Sequence, residues 1–245
     1  MGTKMVLGWE RRVNRRYLMS LIPWYSLAII ATFFMPAPLP AQTADDSLKI
    51  YAVSIVRTPP FEKQVTGDGI YLGRGLVITA AHVVGRWPFF THPRVLIAGQ
   101  DLRAKVIKEG SFQETDLALL SVEETRLPIS LRLRRNPLCN EVPRIGMETI
   151  NVDPTTTNRV KIISPLTISP EFRARLDSLI SSPEGSGSGL FDAERKCLVG
   201  IVSAKLQKYR YQAMNGRILP IADGYAGYFV SASKISNFVP AGMRF

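Results

Sequence analysis

Cysteine and histidine are scarce in this chain, with two of each among 245 residues. Neither pair stands at the short spacing that binds zinc or another transition metal, so no metal site is expected. No glycine-rich loop has the pattern that cradles phosphate, and no dinucleotide fingerprint is present; no cofactor is expected. Internal repeats are missing, which excludes a solenoid. Apolar residues almost never recur at helical spacing, which argues against a helical bundle. Only one long uncharged run occurs, and it lies near the N-terminus.

That run belongs to a leader. Basic residues end at Arg16, Tyr17 to Met35 carries no charge over 19 positions, and a small, proline-rich stretch follows through Pro40, Ala41 and Ala44. The pattern is that of an export signal, which places the mature chain in the periplasm or outside the cell. Ala41 has Leu39 two residues before it and Ala44 has Gln42, so neither gives a clean small-x-small cleavage site. Two readings therefore stand: a cleaved signal peptide over residues 1–44, or an uncut inner-membrane anchor through Tyr17 to Met35 with its basic end in the cytoplasm. Arg15-Arg16 also matches a twin-arginine signal loosely. Residues 45–245 are left as the folded domain, long enough for one core or two small lobes.

The formal net charge of +11 raises the question of a polyanionic partner. Five basic residues against one acidic residue in the first 44 account for +4, and the remaining +7 suits an ordinary soluble surface. No specific nucleic-acid partner is expected. A cationic envelope protein that binds anionic polymers is the reading this charge would support.

From Leu48 onward the pattern is one of short strands punctuated by turns. Expected strands are 49–57, a hairpin over 69–80 turning at Gly73-Arg74-Gly75, then 94–98, 102–108, 117–122, 142–152, 159–168, 189–193, 197–204 and 227–230. The alternating Leu131-Arg132-Leu133-Arg134-Arg135 reads as a half-buried strand or an inter-lobe connection, and 233–239 as a short closing helix. So many closely spaced strands argue for an all-β barrel or sandwich.

Three stretches carry residues suited to chemistry. Glu184-Gly185-Ser186-Gly187-Ser188-Gly189 holds serines between glycines, Thr79-Ala80-Ala81-His82 ends an apolar run, and Asp116 opens Leu117 to Leu120. Taken singly, each has a plainer reading: a flexible turn, a satisfied core histidine, a strand-edge turn residue. Taken together they supply a base, a carboxylate and a nucleophile in the order His, Asp, Ser, one of several convergent orders. The other histidine, His92, has no matching motif.

TAAH at 79–82, DLALL at 116–120, GSGSGLF at 185–191 and GIVS at 200–203 make the chain resemble the trypsin-like serine peptidases of the chymotrypsin fold, over about residues 48–240. Spacings of 34 and 70 residues between the three candidates suit compact bacterial members. The resemblance implies two six-stranded antiparallel β-barrels, lobes of about 48–130 and 136–240, a short C-terminal helix, and a cleft for a peptide or protein substrate between the lobes. It further implies Ser186 as nucleophile, His82 as base, Asp116 as its orienter, and the N–H groups of Glu184 and Ser186 as the oxyanion hole. Glu184 departs from the glycine usual there, so turning that amide inward would strain the backbone by about 1–3 kcal/mol. Gly185 stands where digestive relatives carry an aspartate, so activation by a new N-terminus is not expected.

By the same resemblance, Ile180 falls at the floor of the specificity pocket, with Ser203 and Gly227 on its walls. An uncharged floor points to small or apolar side chains. Ser203 also matches a serine that supports the catalytic aspartate, and Lys205 replaces a glycine and narrows the cleft. Cys139 and Cys197 lie near the positions of a family disulfide. Their even number in an exported chain fits one bridge, with two buried free thiols as the alternative. The expectation is an exported serine endopeptidase; Glu184 and Lys205 motivate the alternative of a weakly active or inactive protease-fold binding protein of the cell envelope.

Overall fold

A computed structural model describes residues 45–58, 63–85, 92–111, 114–169, 178–214 and 217–243. The leader, including Tyr17 to Met35, lies outside the described residues. Among the described residues no helix is long and apolar enough to cross a membrane.

Two sheets of six strands each close into an antiparallel barrel. The first comprises β1 (Ala52–Arg57), β2 (Val65–Gly73), β3 (Leu76–Thr79), β4 (Arg94–Ile97), β5 (Gln100–Glu109) and β6 (Ala118–Val122), joined in the circuit β1-β2-β3-β6-β5-β4. The second comprises β7 (Glu148–Val152), β8 (Thr157–Ile163), β9 (Leu179–Ser181), β10 (Gly189–Asp192), β11 (Leu198–Met214) and β12 (Arg217–Ser231), joined as β7-β8-β9-β12-β11-β10. The two circuits are the same, although the sequence carries no repeat.

Strand composition follows from what each face meets. β3 reads Leu-Val-Ile-Thr and is buried throughout: Val77 packs inside the first barrel, whereas Leu76 and Ile78 join a cluster shared with Ile150, Phe191, Leu198 and Ile201 of the second. A strand apolar on both faces has to be a continuous apolar run. Each such side chain stabilises the fold by about 1.5–3 kcal/mol when fully buried. The C-terminal helix Ala232–Phe238 adds Ile235 and Phe238 to the same shared cluster, and Lys108 Nζ donates to the Phe238 carbonyl (2.9 Å). Cys139 and Cys197 are joined by a disulfide, which ties the start of the second lobe to the residue before β11.

Several sequence expectations are corrected. Residues 46–51 form a 3-10 turn rather than the start of a strand. The 131–135 stretch follows the helical turn Ile129–Arg132 and serves as the connection between lobes, with Leu131 buried and Leu133 exposed. β9, only three residues long, escapes periodicity altogether. The largest difference is the hairpin of β11 and β12, which runs far beyond 204 and 227 because cross-strand pairing continues out to Met214 and Arg217.

Candidate active site

His82 stands on the single helical turn Ala81–Val84, which follows β3 directly. Its Nδ1 lies 2.7 Å from Asp116 Oδ2, and its backbone N–H donates to Asp116 Oδ1 at 3.0 Å. Ser203 Oγ donates to Asp116 Oδ2 at 2.5 Å. Asp116 is almost fully enclosed, with 2% of its side chain exposed against 40% for His82. Burial alone would raise the carboxyl pKa. The hydrogen bonds from His82 and Ser203 outweigh that effect and hold it below its ordinary 3.8. The imidazole is thereby fixed in orientation through Nδ1.

Ser186 sits in the tight loop that leads into β10. Its Oγ donates to the Ser203 carbonyl at 3.1 Å, and its own carbonyl accepts from Asp68 N–H at 2.9 Å. The glycine after it is obligatory: Gly187 has φ +92°, and a side chain there would overlap the Asp68 backbone oxygen. Ser186 and His82 are walls of one cleft of about 580 Å³, together with Gly185, Asp68, Ser54 and Leu96. Ser188 is different. It is fully buried, and its Oγ accepts from Asn151 Nδ2 at 2.9 Å.

Glu184 N–H, expected to face an oxyanion, donates to Asn151 Oδ1 at 2.9 Å. Asn151 is wholly buried and also donates through Nδ2 to the Gly189 carbonyl at 3.1 Å, so one side chain staples both ends of the 184–189 loop. The Glu184 carboxylate in turn accepts from Asn158 Nδ2.

The expected specificity pocket is filled from within. Ile180 is fully buried in the core of the second barrel and pairs with Gly227. A Cβ on Gly227 would lie 2.4 Å from Pro183 Cβ and 3.0 Å from Ile180 Cγ1, so those two side chains occupy the space beside it. Lys205 is exposed and pairs across the strands with Gly227. The residue before Pro183, Ser182, adopts φ +50°, an unfavourable conformation for a non-glycine residue in the loop that would have to move to open the pocket.

Sequence reasoning missed Asn151, Pro183 and Asp68. Asn151 stands between Ile150 and Val152 in an ordinary alternation, which gives no sign that it points inward. Asp68 lies between two glycines, as a turn residue would, yet it is mid-strand; the glycines allow close approach of Val83 and Ile55. Its Oδ2 occupies the space that a Cβ on Gly185 would need. Burial, then repulsion from Asp153 and Glu184, pushes its pKa up to about 6. Among the described residues no group of three or more His, Cys, Asp or Glu side chains is placed to hold a metal ion.

No family model matches the chain, and no curated protein does. Solved structures do. The active form of the Rv3671c protease from M. tuberculosis superposes with a TM-score of 0.56 at 18% identity, covering 83% of this chain and 86% of that one. Kallikrein-related peptidase 10 superposes with a TM-score of 0.56 at 16% identity, covering 82% of this chain and 98% of that one. The fold is therefore the two-barrel fold of the trypsin-like serine proteases.

Proposed function

We propose that this chain is an exported serine endopeptidase that hydrolyses peptide bonds through Ser186, His82 and Asp116 by way of an acyl-enzyme. The observation that carries the reading is the bonded series from Ser203 and His82 onto the buried carboxylate of Asp116, with Ser186 in the same cleft as the imidazole. Ser186 Oγ attacks the scissile carbonyl carbon; His82 takes its proton and passes it to the leaving amine; Asp116 keeps the productive tautomer and stabilises the imidazolium that forms. Water then attacks the acyl-enzyme with His82 again as base. Ser188 is not the nucleophile in this account, since its hydroxyl is buried and bonded to Asn151. The disulfide suits an oxidising compartment, in line with export.

The resting site is latent. The Glu184 amide is held on Asn151, and Pro183 lies against Gly227, so substrate or a partner has to move the 182–185 segment to complete the oxyanion hole and open the pocket. These same two contacts favour the second reading, a protease-fold binding protein of the envelope with little or no activity. Peptide-library profiling separates them. Cleavage after small or apolar residues supports the endopeptidase, whereas high-affinity capture of peptides without cleavage supports the binding protein.

A further inference from the structure

The outer face of the first barrel carries a second cavity, of about 570 Å³, whose walls include Val56, Arg94, Arg103, Arg126 and His92. Strand register explains how the cations meet. Val56 on β1 pairs with Arg94 on β4, and Arg94 pairs with Arg103 on β5, so the three side chains form one row on one face. Like charges directly opposite one another across strands are destabilising. Asp101 offsets only one of them, through its two-point contact with Arg94 (2.8 and 2.6 Å). Among the described residues Arg103 and Arg126 make no ion pair. Asp101 is also a wall of this cavity but is engaged by Arg94, so among the described residues two guanidiniums stand in a concave site without an ion-pair partner of their own.

This cavity borders the active cleft. Val56 is a wall of both, and the neighbouring row of the same face, Asp68-Ser54-Leu96-Asp101, begins beside Ser186 and ends beside Arg94. The active cleft is walled by β1, β2 and β4 of the first barrel and not by Ile180, Ser203 or Gly227, which suits it to the leaving-group half of a substrate. From β2 to β5 is three strand spacings, roughly 14 Å, which an extended peptide covers in about four residues.

We propose that the Arg94-Arg103-Arg126 cavity is an exosite for carboxylates of the substrate, selecting polypeptides that carry glutamate or aspartate about four to five residues beyond the scissile bond on the leaving-group side. Bidentate pairing of a guanidinium with a carboxylate is the chemistry that fits. The cleavage side of this inference rests on the endopeptidase reading; the binding side does not.

The test uses the full chain bearing Ser186→Ala and a fluorescein-labelled extended peptide with three consecutive glutamates, against its glutamine counterpart. At matched ionic strength the glutamate peptide binds at least tenfold tighter. The difference disappears in Arg103→Gln/Arg126→Gln, shown to be folded by its circular dichroism and thermal transition, and persists in Arg210→Gln/Arg217→Gln, which removes the same charge from the distant hairpin. Inorganic phosphate as competitor distinguishes the sources of the anion: displacement only by peptide carboxylates supports a substrate exosite, and equal displacement by millimolar phosphate overturns it in favour of a general anion site. With the wild-type chain, glutamate placed four or five residues past the cleaved bond raises kcat/KM by about tenfold. Arginine-dependent binding without any cleavage would leave the exosite standing and remove the protease reading. Cleavage indifferent to the glutamates, with equal binding of both peptides, would remove the exosite and leave the protease.

Discussion

The backbone N–H of Glu184 donates to the side-chain oxygen of Asn151 at 2.9 Å, two residues upstream of the proposed nucleophile. An amide so engaged is unavailable to a developing oxyanion, and loss of one oxyanion donor costs about a hundredfold to a thousandfold in rate. The proposed peptidase should accordingly turn over slowly until that bond is broken.

Glu184→Gly is expected to accelerate acylation by about tenfold to a hundredfold. It removes the side chain held by Asn158 and the backbone strain of roughly 1–3 kcal/mol that turning the amide inward would impose on a non-glycine residue. The second-order rate with a fluorophosphonate checks this, and an unchanged rate would mean that the loop is not limiting.

Asp116→Asn should lower kcat by about ten-thousandfold while leaving KM nearly unchanged, because the wrong imidazole tautomer is then held next to Ser186. The same carboxylate sets an acid limit. Its folded pKa is below 3.8, so its stabilising contribution is full above pH 3.8 and is lost as pH falls through the folded value. Unfolding in urea from pH 5 down to pH 2 should show a decline that Asp116→Asn makes shallower.

Asp68 acts in the opposite direction. Its pKa of about 6 exceeds the ordinary 3.8, so the folded state is favoured most below pH 3.8, and that advantage is lost as pH rises through 6. Asp68→Asn should stabilise the protein at pH 8 by on the order of 1 kcal/mol, after allowance for solvent screening, and flatten the slope between pH 4 and 6. Equal slopes in the two proteins would contradict the assignment.

Removing the bridge with Cys139→Ser/Cys197→Ser releases a constraint across 58 residues of sequence and should cost about 2–5 kcal/mol, read as a lower denaturation midpoint. The barrel circuits should survive, because the shared apolar cluster of Ile70, Phe191 and Ile201 does not depend on the bridge.

Much of the fold was legible because its strands are short, apolar and bounded by glycine, as in β3 and β10. The three candidate residues were legible because each ends or begins such a strand. What stayed hidden depends on long-range geometry. Asn151 is inward only because β7 pairs with β10, and the reach of β11 and β12 comes from pairing between residues too polar to look like strand. Ile180 was placed by counting back from Ser186, but barrel closure turned its side chain into the core. The basic exosite was invisible because Val56 is far in sequence from the Arg94–Arg103 hairpin and joins it only through the register of β1 with β4.

Peptide hydrolysis as proposed requires Ser186 to be an activated nucleophile. The most direct measurement is fluorophosphonate labelling of the full chain followed by peptide mass mapping. Slow, stoichiometric modification is expected on Ser186, abolished in Ser186→Ala and in His82→Ala and retained in Ser188→Ala. A folded protein that stays unlabelled after prolonged exposure, or one labelled equally well without His82, would contradict it.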